Sequence, residues 1–366
     1  MGCQLVLWSV LVRSRVLDDF VFRDFRRDEP GRPGDLEAVL ALRARVFPAQ
    51  DLARERRRWR WEFDRNPFRS AAVPDAWVFE QASSIVGPIV GNYGLVPTPV
   101  AIDGKIELCF NGIDFAVAPE LQGKGLGHRI IERHMDPALC RFPFLTGPTP
   151  AVSHLVASHG GSVIRCREEP SVFAFACGAP TPTPLAPREI ALRPIAGFEP
   201  RFDDLWRRVA ESFRILVARD HRYLNWRYRD FPFAKLTMIS ALDRSGYLRG
   251  LLILQHEKEK NAGYLLELFA DPRDEPAYRA LITAAIEAGR RAKMNELYVL
   301  HRSPAVQALL LANGFWKVEG HALELACRLP TPKPGEKPFT AADLYWSAGD
   351  GDLLYVLGDL EESGST

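Results

Sequence analysis

The segment Gln122–Arg129 has the composition of a phosphate-binding turn. Every second position from 123 to 127 is glycine, and Lys124, His128 and Arg129 supply positive or protonatable side chains. The apolar run Ile113–Val117 ahead of it predicts a strand, and the residues after it predict a helix. Free amides and the positive dipole end at a helix N-terminus attract phosphate, and glycine lets phosphate approach the backbone. The segment therefore predicts a pyrophosphate site.

Two common nucleotide motifs do not fit this segment. A P-loop needs Ser or Thr directly after its lysine and glycine five positions before it, whereas Gly125 follows Lys124 and Pro119 stands upstream. The dinucleotide fingerprint needs glycine at the position of His128, and the meandering strands before the turn differ from an opening βαβ unit. Both motifs are therefore excluded.

The pattern that remains resembles the GNAT superfamily of N-acetyltransferases. Gln122, Gly125 and Gly127 match the Gln/Arg-x-x-Gly-x-Gly/Ala motif of that family, and Val117 and Pro119 match the strand end ahead of it. The placement of the motif between a predicted strand and a predicted helix agrees with the family's order of elements.

The resemblance implies an acyl-CoA co-substrate, taken here as acetyl-CoA. It covers residues 20–177 with the motif and residues 188–329 by repeat and topology alone. In this fold the fourth strand diverges from the fifth, its main chain holds the pantetheine arm, and the glycine turn holds the pyrophosphate. The residues that the resemblance assigns to acyl-CoA are Phe115, Ala116, Val117, Gln122, Gly123, Lys124, Gly125, Leu126, Gly127 and His128.

Acyl transfer to an amine requires a base, an oxyanion donor and an acid for the leaving thiolate. Asp114 is ionisable on an otherwise apolar strand, so it is a candidate base or acceptor-orienting group; a hydrogen-bonded Asp at a strand bulge is the alternative. Where family members often carry a tyrosine acid this chain has Val156, which leaves Ser153, His154 or a water chain as substitutes. No histidine pair has ligand spacing with a carboxylate or thiol, so we expect no metal.

An internal repeat indicates a duplicated unit that positions this site. Trp61–Pro67 carries Trp, an aromatic residue at +2 and Pro at +6, and Trp226–Pro232 repeats that spacing. Further along each half, Pro150–Val152 and Pro304–Val306 share the sequence Pro-Ala-Val. Two landmarks in the same order favour tandem domains.

Hydrophobic patterning predicts a strand and then a helix at the start of each half. The first half continues with strands, a helix, a strand, a helix and a closing hairpin. The predicted elements are the strand 20–25, helices 35–47 and 51–66, strands 76–80, 89–96 and 106–117, helix 125–135, strand 142–145, helix 151–159 and a hairpin of 162–164 with 172–175, followed in the second half by a strand at 189–194 and a helix at 202–213.

A proline-rich run at 178–187 cannot continue a helix or a central strand, so it separates the halves. The predicted fold class is α/β (α+β), with two tandem GNAT-like domains, each a mixed, mostly antiparallel sheet flanked by helices. The predicted segments are an N-terminal extension at 1–19, the acyl-CoA-binding domain at 20–177, the linker at 178–187, a second GNAT-like domain with a degenerate cofactor loop at 188–329 and a C-terminal tail at 330–366.

The second half departs from the motif at the decisive turn. Aligned on Pro119 and Pro272, its turn Arg273–Tyr278 has no glycine, two carboxylates and a proline that lacks an amide donor. Phosphate would be repelled there. We therefore expect one acyl-CoA site, in the first half.

Composition bounds the remaining classes. The 366 residues are 47% hydrophobic and 25% charged with a net charge of +1, which is typical of folded water-soluble domains and excludes a global field for nucleic acid. Six dispersed cysteines without C-x-x-C spacing predict reduced thiols. The apolar run Leu5–Val12 lacks a basic leader and is too short to span a bilayer. We expect a cytoplasmic protein without a membrane partner.

The segment Arg54–Trp61 is basic and interleaved with aromatic residues, as nucleic-acid-binding patches are. A solvated helix face is the simpler interpretation, because neighbouring acids such as Glu55 and Glu62 dilute the field. We expect no nucleic-acid partner. An anionic small-molecule amine acceptor would suit the arginines, with Trp61, Trp226 and Tyr93 as guesses for its pocket.

Together these features predict an enzyme, an N-acetyltransferase that moves an acetyl group from acetyl-CoA to a primary amine of a small-molecule, sugar or peptide acceptor by direct attack. One alternative is a tRNA-dependent aminoacyl transferase of similar tandem fold, against which the glycine motif favours CoA. The other is a non-catalytic acyl-CoA-binding protein, motivated by the missing tyrosine.

Overall fold

The computed structural model describes residues 19–48, 51–82, 87–165, 172–179, 187–318 and 324–351. These residues divide between two compact units. Unit 1 takes its described residues from 1–98, 108–163 and 326–330, and unit 2 takes them from 99–107, 164–325 and 331–366. Most of the predicted extension at 1–19 and of the predicted linker at 178–187 lies outside the described residues.

The first half of the chain follows the predicted order of elements closely. The charged helix predicted at 51–66 is an α-helix that passes into a π-helical turn. In chain order the elements are β1 Phe20–Asp24, α1 Leu36–Val46, α2 Leu52–Trp59, the π-turn Arg60–Asp64, β2 Ala76–Gln81, β3 Ile89–Ile102, β4 Lys105–Val117, a 3₁₀ turn Pro119–Leu121, α3 Leu126–His134, β5 Phe144–Thr146, α4 Pro150–Ser158, β6 Ser162–Arg165 and β7 Val172–Ala176.

The second half repeats this plan with shorter central strands and a longer helix after them. Its elements are β8 Ala191–Pro194, α5 Arg201–Ala210, β9 Ile215–Val217, α6 His221–Leu224, the π-turn Asn225–Arg229, β10 Thr237–Leu242, β11 Leu248–Glu257, β12 Ala262–Ala270, α7 Glu275–Arg291, β13 Glu296–Leu300, α8 Pro304–Ala312, β14 Trp316–Lys317, β15 Glu324–Cys327, a 3₁₀ turn Ala341–Asp343, β16 Leu344–Tyr345 and a 3₁₀ turn Ala348–Asp350.

Two mixed, mostly antiparallel sheets carry these elements, which confirms the predicted fold class. The first sheet has the order β1-β2-β3-β4-β5-β15-β6, and the second has the order β8-β10-β11-β12-β13-β7-β14. The parallel neighbours β4 and β5 in the first sheet correspond to the parallel neighbours β12 and β13 in the second. The sixth position of each sheet is held by a strand from the other half of the chain, β15 in the first and β7 in the second.

The predicted hairpin of residues 162–164 with 172–175 is wrong. β6 lies at the edge of the first sheet, whereas β7 pairs antiparallel with β13 from Val172↔Leu300 to Ala176↔Glu296. Both strands have the apolar alternation of a hairpin, but sequence pattern does not identify the partner of a strand, and here each strand finds its partner in a different sheet.

The Trp-x-aromatic repeat forms the same local structure twice. In each copy the helix passes into a π-turn, and the turn ends on an amide that bonds the carbonyl five residues earlier, Arg65 to Arg60 and Asp230 to Asn225. The tryptophans Trp61 and Trp226 are 1% and 3% exposed. The repeat is therefore a structural landmark, and its tryptophans are core residues.

In unit 2 the long helix α7 covers the second sheet. Ten of its residues are buried, among them Leu281, Ile282 and Ile286, and they pack in one apolar cluster with Leu252, Leu265 and other residues of the sheet. α7 has 17 residues and is the longest helix of the described chain; none of the described helices has the length and apolar composition to cross a bilayer.

Candidate functional site

The glycine turn presents bare backbone to open space. Gly123 and Gly125 have φ of +77° and +95°, in the left-handed region that favours glycine, and a Cβ built on either would meet no atom within 4 Å. Gly125 is the N-cap of α3. Gln122 closes the turn by donating from Nε2 to the carbonyl of Val117 at 3.1 Å.

The first turn of α3 faces the same space. The amides of Leu126 and Gly127 have no acceptor within their own helix, because the carbonyls four residues earlier precede it. Gly127 also permits close packing, since a Cβ there would lie 3.1 Å from Phe115 Cζ and 3.2 Å from Leu155 Cδ1. The turn thus combines donor amides, the positive end of a helix dipole and the side chain of Lys124.

β4 and β5 part at the level of this turn. Their parallel register, in the described residues, consists of Asn111↔Phe144 and Gly112↔Leu145. β5 ends at Thr146, whereas β4 continues to Val117. Among the described residues, the main chain of Phe115–Val117 therefore has no partner strand on the β5 side, a gap at the place where the family resemblance implies one.

Asp114 lies where β4 leaves β5. Gly112 and Phe115 both face α3, although regular alternation would place them on opposite faces, so we infer a bulge at Asp114 between them. Its φ is +58°, a left-handed conformation that is uncommon for residues other than glycine. Asn92 on β3 supports the bulge by donating from Nδ2 to the carbonyl of Asp114 at 3.1 Å. The predicted alternative of a hydrogen-bonded Asp at a strand bulge thus describes its local structure.

The carboxylate of Asp114 is held by two arginines. Arg43 on α1 approaches one oxygen at 2.6 Å, and Arg58 on α2 donates to both oxygens at 2.7 and 2.6 Å. All three side chains are less than one-tenth exposed. Both arginines also bind Glu55, and Arg58 binds Glu62.

This clamp keeps Asp114 ionised. Burial alone would raise the pKa of the carboxyl, but the charges and hydrogen bonds of Arg43 and Arg58 outweigh it and lower the pKa below its ordinary value. A carboxylate with a lowered pKa and both oxygens bonded is a poor proton acceptor. The geometry fits the orienting role of Asp114 better than the role of base, and its catalytic role stays a prediction.

The remaining predicted side chains lie on α4 and α3. Ser153 is 4% exposed in the first turn of α4, and Val156, at the position of the family's tyrosine, is fully buried. The ring centroid of His128 lies 5.4 Å from that of His159, whose Nδ1 lies 2.9 Å from the carbonyl oxygen of Leu155. Ser153 stays a predicted acid that no contact described here tests.

Sequence reasoning missed three polar side chains around the gap. Asn92, Asn111 and Thr146 are 0%, 6% and 9% exposed, and their side-chain oxygens have no hydrogen-bond partner among the described residues. It also missed Arg43 as the partner of Asp114. A lone Asn within the apolar strand 106–117 was the signal available for Asn111; the partners of Asp114 come from helices whose packing the sequence pattern does not give.

The equivalent turn of the second half is occupied by its own side chains. Asp274 is the N-cap of α7, where its carboxylate accepts the amide of Ala277 at 3.2 Å and the Nε of Arg249 at 2.6 Å. A carboxylate therefore already occupies the anion position of this helix end.

A cavity of about 570 Å³ lies within unit 2. Asp103, Trp206, Glu211 and Arg214 contribute to its walls, together with the turn before β16. Its lining includes none of the predicted site residues.

Comparison with known proteins supports the fold. A conserved protein of unknown function from Enterococcus faecalis has a TM-score of 0.60 at 10% identity, over 85% of this chain and 73% of that chain. A GCN5-related N-acetyltransferase from Kribbella flavida has a TM-score of 0.58 at 18% identity, over 85% and 71%. A tandem GNAT protein from the clavulanic acid biosynthesis pathway has a TM-score of 0.50 at 13% identity, over 86% and 99%.

No family model and no curated protein matches the chain by sequence. At the identities of the structural matches the likeness concerns the fold alone. Together with the two sheets of corresponding strand order, these matches establish a tandem GNAT fold, the fold of N-acyltransferases.

Proposed function

We propose that the chain is an N-acetyltransferase that transfers the acetyl group of acetyl-CoA to a primary amine by direct attack. The observation that carries the proposal is the divergence of β4 from β5 beside a glycine turn whose backbone faces open space. A diverging strand offers main-chain groups to an extended amide-containing arm, and the turn offers amides to phosphates.

The residues present fit an acyl-CoA molecule. The open Cβ positions of Gly123 and Gly125 leave room for a pyrophosphate against the backbone. Gln122–His128 would hold that group, with Lys124 adding charge, and the main chain of Phe115–Val117 would hold the pantetheine arm. When bound, acyl-CoA supplies a thioester as the activated acyl donor.

The chain's own groups then have two tasks. Main-chain N–H groups of β4 after the bulge stabilise negative charge on the carbonyl oxygen under attack. Asp114, fixed by Arg43 and Arg58, holds the bulge and so aims those N–H groups. The amine attacks as the free base, its nitrogen bonds the carbonyl carbon, and the C–S bond breaks. The proton that the nitrogen loses passes through Ser153 or water to the departing thiolate.

Two observations support an acetyl donor and a reducing compartment. A Cβ on Gly112, at the last register pair with β5, would lie 1.7 Å from the hydroxyl of Tyr93, so Tyr93 fills the space beside the gap and favours a short acyl group.

The described cysteines Cys109, Cys140, Cys177 and Cys327 are free thiols, as expected of a cytoplasmic protein.

Calorimetric titration with acetyl-CoA tests the proposal, using a matched pair of glycine variants. Gly125→Glu places a carboxylate in the proposed phosphate site. Gly104→Glu is the control, because Gly104 also has positive φ, +75°, with no atom near its Cβ position. Gly104 precedes the first residue of β4 and the turn lies beyond its last, so the 13 residues of the strand separate the two positions along the chain.

We expect the two variants to lose similar stability from the left-handed backbone, about 1–2 kcal/mol. Only Gly125→Glu should lose acetyl-CoA affinity, by at least about tenfold. Equal affinity in both variants, or no binding by the wild-type protein, would refute the proposal. Steady thiol release from acetyl-CoA in the presence of primary amines separates an enzyme from a non-catalytic acyl-CoA-binding protein.

A further inference from the structure

Three unpartnered oxygens around the gap, those of Asn92, Asn111 and Thr146, lie on one face of the first sheet, and the unpartnered hydroxyl of Tyr93 lies on the other. Side chains alternate between the faces of a strand. Tyr93 and Phe115 lie on the α3 side, since the Tyr93 ring packs against His134 and Phe115 packs at Gly127. Asn92, next to Tyr93, therefore lies on the opposite face.

The same alternation places Asn111 and Thr146. Gly112 faces the Tyr93 hydroxyl and so belongs to the α3 side, which puts Asn111 on the other face. Gly112 registers with Leu145, so Thr146, the residue after Leu145, shares the face of Asn111. Asn111 and Thr146 thus flank the point where β4 and β5 part, one on each strand.

The oxygen of each of these side chains is withdrawn from water and has no hydrogen-bond partner among the described residues. The Nδ2 of Asn92 is engaged by the carbonyl of Asp114, which fixes the orientation of its amide and leaves Oδ1 as the unpaired acceptor. Asn111 Oδ1 and Thr146 Oγ1 are also unpaired within the described residues. Buried polar groups are nearly always hydrogen-bonded, so three such oxygens around one gap call for an external donor.

The charged groups on this face do not supply an anion site. Arg43 and Arg58 already bind the carboxylates of Asp114 and Glu55. At the gap this face offers uncharged side-chain oxygen atoms as hydrogen-bond acceptors. An amide oxygen can only accept hydrogen bonds, and a hydroxyl oxygen can accept them.

We propose that Asn92 Oδ1, Asn111 Oδ1 and Thr146 Oγ1 form the subsite that receives the acceptor's primary amine as a hydrogen-bond donor. This inference rests on the proposed function and names the chemistry of its second substrate. Neutral oxygens bind the N–H groups of an amine without stabilising the protonated ammonium as a carboxylate would, so the nitrogen keeps the lone pair that attacks. The subsite selects an amine over a carboxylate of the same size.

Isosteric substitution separates this role from a structural one. Thr146→Val removes a hydroxyl that has no protein partner, so it should leave the melting temperature unchanged or raise it. The matched control is Thr98→Val on β3, where the buried hydroxyl donates to the carbonyl of Val96 at 3.1 Å and should lower the melting temperature when removed. Asn111→Leu is the second test variant.

Three properties are measured for each protein: its melting temperature, its acetyl-CoA affinity by calorimetry, and its rate of thiol release from acetyl-CoA with each of a panel of primary amines. The amines of the panel carry no charged group other than the amine itself. Thr146→Val and Asn111→Leu should bind acetyl-CoA as the wild type does but raise KM for the best amine about tenfold, the effect of one lost hydrogen bond. Thr98→Val should leave that KM unchanged.

The inference is overturned if Thr146→Val and Asn111→Leu leave KM for the amine unchanged, whatever their melting temperatures. It is also overturned if carboxylates that match the panel amines in size inhibit at concentrations below the KM of those amines. Failure of the proposed function has a different signature, because the wild-type protein would then show no acetyl-CoA affinity at all.

Discussion

Asp114 offers the sharpest test of how the bulge is held. Three variants separate the two features that meet there, the left-handed backbone and the pair of arginines. Asp114→Ala removes the carboxylate and keeps a Cβ at φ +58°. Asp114→Gly removes the carboxylate and the steric strain together. Asp114→Asn keeps the shape and one accepting oxygen, but it removes the charge and replaces the other acceptor by a donor.

The expected magnitudes follow from the contacts. Arg43 and Arg58 each lie 2.6 Å from the carboxylate, and removing one member of a buried ion-pair cluster costs about 3–5 kcal/mol because it leaves charge uncompensated. We expect this loss for Asp114→Ala. A non-glycine residue in the left-handed region costs at least about 1 kcal/mol, so Asp114→Gly should be more stable than Asp114→Ala by about that amount. Asp114→Asn should lose about 2 kcal/mol.

Urea unfolding at pH 7, read by tryptophan fluorescence, measures these differences. Glu37→Gln is the control, since Glu37 is exposed and pairs with Arg56 on the surface, and it should leave the free energy of unfolding essentially unchanged.

The lowered pKa of Asp114 adds a pH test. Because the folded pKa lies below the unfolded value, the stabilisation is present above the unfolded pKa and is lost as pH falls through the folded pKa. The difference between wild type and Asp114→Asn should therefore shrink in acid. Equal stability of the Ala and Gly variants would refute the strain argument, and wild-type stability of Asp114→Asn would refute the arginine clamp.

Two further variants test unit 1. Burial lowers the pKa of His134 to about 3, so below pH 6.5 the unfolded chain takes up a proton that the folded chain does not. This residue should therefore lower the free energy of unfolding of the wild type by about 1.4 kcal/mol per pH unit as the pH falls. Urea unfolding at pH 7 and pH 5 should show a smaller loss of stability for His134→Phe than for the wild type. Gly112→Ala places a Cβ 1.7 Å from the Tyr93 hydroxyl and should cost about 1–3 kcal/mol by the same assay, whereas Gly178→Ala, with no atom within 4 Å, should be nearly neutral.

The sequence indicated the scaffold well because its signals are local. Glycine at 125 and the apolar run after it predicted a helix at 125–135, and the structure has α3 at Leu126–His134. The Trp-x-aromatic repeat predicted a duplicated unit, and both copies form the same π-turn. The chemistry of these segments depends on neighbours within a few residues, which is what a pattern records.

The sequence failed where distant residues meet. β7 has the pattern of a strand, but nothing in that pattern tells β6 from β13 as its partner. Asp114 was identified as the ionisable residue of its strand, but its role depends on Arg43, more than 70 positions earlier. Trp61 and Tyr93 were guessed for the acceptor pocket, and both are core residues, 1% and 0% exposed. Non-local contacts decide all three.

The two halves differ in whether the polar groups at equivalent positions have hydrogen-bond partners within the chain. Aligned on their prolines, Asp114 and Glu267 occupy the same position, and each is a buried carboxylate bound by arginine. Beside Asp114 the neighbouring strand turns away and Asn111 and Thr146 keep unpaired oxygens.

Around Glu267 the chain supplies the missing partners itself. Tyr228 donates to Glu267 Oε1 at 2.6 Å, and Ser347, from the segment that ends at Gly351, donates to the same oxygen at 3.1 Å. Burial raises the pKa of Glu267 despite the opposing charge of Arg219. Side chains of the same half thus bind Glu267, and Asp274 caps the helix end that would otherwise offer free amides to a ligand. The unpaired oxygens beside Asp114 and the fully bonded Oε1 of Glu267 agree with a single proposed acyl-CoA site, in the first half.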